Sequence, residues 1–149
     1  MSPDRPSLKG RALRLLSGRE HSRSELERKL ERFEEEPGTL AHALDELQAK
    51  GFLSEQRVIE SVVHSRAAKL GAARIRHELQ GKGLDPQAIA QALEGLQASE
   101  HERALAVWLK KFGTPPANPQ ETARQIRFLA ARGFGAEAIR QVLKGPAST

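Results

Sequence analysis

The sequence holds no cysteine and no tyrosine, a single tryptophan (Trp108), and five phenylalanines among its 149 residues. Without thiols there is no disulfide and no thiolate metal site, a composition that suits a reducing compartment. So few rings cannot build the broad stacking platforms on which unpaired bases lie, which weighs against a single-strand binder of that design. No apolar run approaches the roughly 20 residues that a membrane-spanning helix needs. The opening MSPDRPSLKG has no apolar stretch of the kind that marks a secretory signal. The expected location is the cytoplasm. Valine, isoleucine and threonine are scarce, and no segment alternates apolar and polar residues as a half-buried strand does.

What is present is 38% apolar and 29% charged, with a net charge of +5. Residues 1–60 carry 11 basic and 12 acidic side chains, 61–98 carry 5 and 3, and 99–149 carry 8 and 4. The basic C-terminal two-thirds points to a polyanionic partner, either nucleic acid or a protein with an acidic groove.

The strongest internal signal is repetition. LAHALDELQA (40–49) returns as IAQALEGLQA (89–98), identical at six of ten positions. A shift of 49 places Leu26 over Ile75, Leu30 over Leu79, Pro37 over Pro86 and Leu44 over Leu93. A further shift of 50 places Leu79 over Leu129, Gly83 over Gly133, Ile89 over Ile139 and Leu93 over Leu143. Periods of this length mark stacked repeats, each too small to bury a sufficient core alone.

The periodicity within each repeat is helical. Leu26, Leu30 and Phe33, then Leu40, Leu44 and Leu47, then Leu105, Trp108, Leu109 and Phe112 recur at the spacing of one helix face. Ser22–Glu25 and Ser99–Glu102 have the form of capping boxes. Asp85-Pro86 and Asn118-Pro119 place an N-cap before a first-turn proline, and Gly51, Gly83 and Gly133 stand where helices need a left-handed terminator. These signals predict helices over 7–17, 22–33, 37–50, 54–70, 72–82, 86–98, 100–112, 119–132 and 136–144. The expected fold is therefore all-α, three tandem three-helix repeats (1–53, 54–99 and 100–149) forming an elongated helical array. The Pro-rich GTPPANP (113–119) is expected to act as a hinge between the second and third repeats.

Motifs that carry chemistry are missing. His21 with Glu25 and His42 with Glu46 sit one helical turn apart but have no third and fourth ligand to complete a metal site. HERAL (101–105) has Leu105 where a zinc-protease helix has its second histidine, and no phosphate-binding GxxxxGK[ST] occurs. RGFGAE (132–137) has the glycine spacing of an anion-binding turn, but its repeat partner KGLDPQ fills the same place with an ordinary cap. No catalytic residue, cofactor or metal is expected.

Among the cations, Arg66 continues the apolar face of Val58, Ile59, Val62 and Val63. Arg74 and Arg76 flank the Ile75–Leu79 stripe, roughly 100° to either side, and Arg74 has Glu78 one turn away. Lys69, Arg76 and Lys82 have no acidic neighbour so placed on their own helix. They are the central candidates for partner contact, extended by Lys110, Lys111, Arg127 and Arg132.

LLSGREHSRSELERKL (15–30), LGAARIRHELQGKGL (70–84) and IRFLAARGFGAEAIRQVL (126–143) resemble, in order and spacing, the signature stretches of the RecX family, regulators of the RecA recombinase. Arg66, Gly71, Arg74, Glu78 and Leu79 keep the family pattern, as do Arg132, Gly133 and Phe134. The chain departs from it in the SEQ of 54–56, in Val58 and Ile59 after Arg57, and in lacking tyrosine. The resemblance implies a non-enzymatic protein of three three-helix repeats that binds in the groove of the RecA–DNA filament. There it would restrain ATP hydrolysis, strand exchange and filament growth. It adds Arg57, Arg66 and Arg74 to the contact candidates, and implies a monomer that in some members also binds single- or double-stranded DNA. Two other readings compete: a general basic helical module for nucleic acid, and an adaptor for an unrelated acidic protein.

Overall fold

A computed structural model describes residues 5–145. Among these residues the chain forms nine α-helices, one 3-10 turn and no strand. The first bundle contains α1 (Leu8–Gly18), α2 (Arg23–Leu30) with a 3-10 turn at Glu31–Phe33, and α3 (Thr39–Ala49). The second contains α4 (Glu55–Arg66), α5 (Ala72–Gly81) and α6 (Pro86–Gln97), and the third α7 (Glu100–Lys111), α8 (Pro119–Ala131) and α9 (Ala136–Lys144).

Local chemistry sets the helix starts. The Ser22 hydroxyl accepts from the Glu25 amide while the Glu25 carboxylate accepts from the Ser22 amide, a complete capping box. Asp85 and Asn118 cap α6 and α8 ahead of their prolines, and Gly51, Gly83 and Gly133 take positive φ after α3, α5 and α8.

Three starts or stops differ from the sequence expectation. Ser99 makes no cap: its hydroxyl donates to the Leu96 carbonyl and accepts from Arg103. The α4 helix ends at Arg66, not near residue 70, because Arg103 draws the Ala67 and Leu70 carbonyls to itself at 2.9 and 2.6 Å. The α3 helix starts at Thr39 behind a left-handed Gly38, so Pro37 does not share the first-turn position of Pro86.

Each bundle closes on its own apolar cluster. Leu26, Leu30, Leu40, Leu44 and Leu47 fill the first; Val58, Ile59, Ile75, Leu79, Ile89 and Leu93 the second; Trp108, Leu129, Phe134, Ile139 and Val142 the third. Each such side chain withdrawn from water contributes about 1.5–3 kcal/mol. Helix contacts lie mainly within a bundle, and the accessible surface of 9682 Å² exceeds the roughly 7,500 Å² expected of a compact monomer of this mass.

The bundles meet through a repeated joint. The Ser22 hydroxyl, at the start of α2, donates to the Lys82 carbonyl at the end of α5 at 2.6 Å. The Gly71 amide, at the start of α5, donates to the Arg132 carbonyl at the end of α8 at 2.8 Å. The second helices thus run head to tail along the array, donor-rich starts against acceptor-rich ends. The 113–119 segment joins α7 to α8 inside the third bundle. It does not connect the second and third bundles, so the expected hinge is misplaced.

Candidate partner-binding surface

The ten cations singled out in the sequence divide by what they touch. Three are ties. Arg57 donates through Nε to Glu20 at 2.9 Å and through its guanidinium to the Gly51 and Phe52 carbonyls, at 2.7 and 3.2 Å. Arg74 reaches the Ala131 carbonyl at 2.7 Å, not Glu78. Lys82, with only 17% of its side chain exposed, meets Glu25 at 3.3 Å across the first joint. The expectation that Lys82 lacks an acidic partner holds for its own helix and fails across the bundles.

Arg66 is the partner Glu78 takes instead, at 3.0 Å, and its side chain is half exposed on the surface rather than held on the apolar face. Lys69, Arg76, Lys110 and Arg127 are exposed and, among the described residues, without a hydrogen-bond or ion-pair partner. Lys111 and Arg132 stand 5.4 and 4.7 Å from the Phe128 ring, and that ring packs edge-on to Phe112 at 5.3 Å. An aromatic ring fixes a cation without cancelling its charge. Arg124, near the Phe112 ring at 5.8 Å, belongs with this group and was not singled out by sequence reasoning.

The backbone of Arg132 and Gly133 lies against the start of α5, two residues after Lys69. There the Glu100 carboxylate accepts from the Ala72 amide at 2.8 Å and from the Gly135 amide at 3.2 Å. Arg103, 12% exposed, has its pKa lowered by burial, with Glu100 opposing. Neither residue was marked in the sequence, because their partners are backbone groups of distant segments.

The first joint has its own electrostatics. Burial alone would raise the Glu25 pKa; the Ser22 amide, Arg19 and Lys82 outweigh it and hold the carboxyl at about 2. His21 is buried, and burial lowers its pKa despite its contact with the Arg19 carbonyl. Its ring nitrogens meet the Arg19 carbonyl and the Lys29 amine. His42 and Glu46, one turn apart on α3, meet at the surface at 2.8 Å. Among the described residues no three His, Cys, Asp or Glu side chains gather as a metal site, and no helix is long and apolar enough to cross a membrane.

Fold and surface together define a helical-repeat protein with two polar joints and free cations on its second and third bundles. Family models for the first, second and third three-helix domains of RecX match residues 9–47, 54–93 and 98–143. The chain belongs to the RecX family of regulatory proteins. Regulatory protein RecX of Leptothrix cholodnii is 51% identical over 146 residues, covering 97% of this chain and 93% of that protein. The RecX of Ralstonia nicotianae is 46% identical, over 93% of this chain and 87% of its own. The crystal structure of RecX from Lactobacillus salivarius shares the fold, with a TM-score of 0.76 at 19% identity and 92% of each chain covered.

Proposed function

We propose that this protein restrains RecA by lying in the groove of the RecA–DNA filament, impeding the rearrangements that ATP hydrolysis, strand exchange and filament growth require. In this reading it is a cytoplasmic monomer that acts by occupancy and catalyses nothing. Its units are residues 1–53, 54–99 and 100–149. Lys69, Arg76, Lys110, Lys111, Arg127 and Arg132 face the partner, while Arg57, Arg74 and Lys82 keep the units in register.

The observation that carries the reading is the head-to-tail joint, which holds free cations of two bundles along one extended body. Such a body suits a partner that is itself long, repetitive and polyanionic. The second reading, a general binder of nucleic acid, is favoured by the same free cations. Comparing affinity for RecA-coated DNA with affinity for bare DNA separates the two. The filament is expected to bind tighter, with affinity falling as salt rises. Reversing Lys69 and Arg76 to Glu is expected to abolish inhibition of RecA with helicity intact. Wild-type inhibition by the reversed, folded protein overturns this assignment of the surface.

A further inference from the structure

The first bundle looks electrically neutral in sequence and is not so in space. Its carboxylates are nearly all engaged: Glu20 with Arg57, Glu25 with Arg19 and Lys82, Glu27 and Asp45 with Arg23, Glu35 with Arg5, and Glu46 with Lys9. Glu34 accepts from the Leu40 amide, leaving only Glu31 and Glu36 free among the described residues. A different set of cations meets no carboxylate among the described residues. Arg11, Arg14, Arg28, Lys29 and Arg32 line a cleft of about 530 Å³ between α1 and the end of α2, and among the described residues no acidic side chain lines it.

Phe33 organises this cleft. The Arg11 guanidinium lies 3.7 Å from the ring centroid and that of Arg32 4.7 Å from it. The ring holds both in place and leaves their charge uncancelled. Among the described residues Arg14 and Arg28 are exposed and unpaired, and the Lys29 side chain meets only the His21 ring, at 3.2 Å. The cleft therefore offers hydrogen-bond donors around an apolar floor, with no side-chain acceptor among the described residues of its lining.

We infer that this α1–α2 cleft is a docking site for the sugar-phosphate backbone of duplex DNA, separate from the cations of the second and third bundles. A phosphodiester presents only acceptors, and arginine forks match its oxygens. An acidic peptide would also bring backbone amide donors, which find no side-chain acceptor here. Unpaired bases carry donors too, whereas in a duplex the pairing edges are already satisfied. The inference does not rest on the filament reading, because it concerns other residues on another bundle.

The test is fluorescence anisotropy of a short labelled duplex with the full chain, in the absence of RecA, over a range of salt. Arg14→Glu with Arg28→Glu is expected to weaken duplex binding at least about tenfold and to reduce the salt slope by about two, one per lost phosphate contact. The thermal melt should not change, since both side chains are exposed and unpaired. Should the reversal unfold the bundle, Arg14→Ala with Arg28→Ala is expected to shift affinity the same way by less. Lys69→Glu with Arg76→Glu should leave the cleft-dependent part of duplex binding in place, so failure of the filament reading is seen separately. Wild-type duplex affinity in the folded Arg14/Arg28 variants overturns the inference. So does a loss confined to single-stranded DNA, which makes the occupant an unpaired strand. So does displacement of the duplex by equimolar polyglutamate, which makes it an acidic peptide.

Discussion

The Gly71 amide donates to the Arg132 carbonyl at 2.8 Å, binding the first turn of α5 to the last turn of α8. The approach depends on two missing side chains. A Cβ on Gly71 would lie 2.3 Å from the Gly133 carbonyl oxygen, and one on Gly133 would lie 2.5 Å from the Arg74 amide nitrogen. Gly133 also has φ of +91°. This is why glycine stands at both positions. The equivalent first joint uses a serine hydroxyl, which reaches where the Gly71 amide approaches directly.

Gly71→Ala is therefore expected to separate the third bundle from the second and to cost about 1–3 kcal/mol, since the obstructing atoms are backbone. Scattering should report a wider spread of shapes, and the melt should lose cooperativity. Gly95→Ala is the counterpart: nothing lies within 4 Å of its Cβ position in α6. It is expected to raise stability by about 0.5–1 kcal/mol.

Acid should loosen the first joint. The Glu25 pKa is depressed to about 2. Its contribution is thus fully present above the unfolded value near 4.5 and lost as pH falls toward 2. The His21 pKa is also lowered, so the unfolded chain takes up that proton first and stability declines as pH drops below about 6.5. Melts from pH 7 to pH 3 should show falling stability, and Glu25→Gln should flatten the lower part of that curve. An unchanged pH profile in Glu25→Gln would remove the carboxylate from this role.

Charge reversals should separate ties from contacts. Lys82→Glu sets a second carboxylate against buried Glu25, with an expected cost of about 3–5 kcal/mol. Arg66→Glu faces Glu78 at the surface, where the loss is expected to be about 1 kcal/mol. Arg76→Glu, exposed and unpaired, should change stability by no more than about 0.5 kcal/mol. Urea denaturation of the three proteins checks the order.

Trp108 donates from its indole nitrogen to Gln125 at 2.8 Å, and Gln125 donates in turn to the Thr114 carbonyl at 3.2 Å. This pair pins the Pro-rich 113–119 segment to its own bundle. Gln125→Leu leaves a buried donor unsatisfied and is expected to cost about 1–3 kcal/mol. Trp108 is the only tryptophan, so its emission should shift to the red as the segment loosens.

The helices and their triplet grouping were legible in the sequence because both rest on local chemistry. Leu26, Leu30, Ile75, Leu79 and Leu129 repeat at helical spacing, and all are buried. The Asp85 and Asn118 caps act within a few residues of themselves and formed as the sequence implies. The joints were not legible. Lys82 counts as unpaired along its helix, yet it lies against Glu25, 57 positions away. Arg103 and Glu100 bond backbone groups that carry no sequence signal. The charge of the first bundle was hidden for the same reason, since a sum along the chain cannot tell a carboxylate that is engaged from a guanidinium that is free. Periodicity, caps and the repeat belong to near neighbours, so the sequence alone determined them. Which cations tie the bundles together and which stand free for a partner depends on how distant segments meet, and only the tertiary structure decided it.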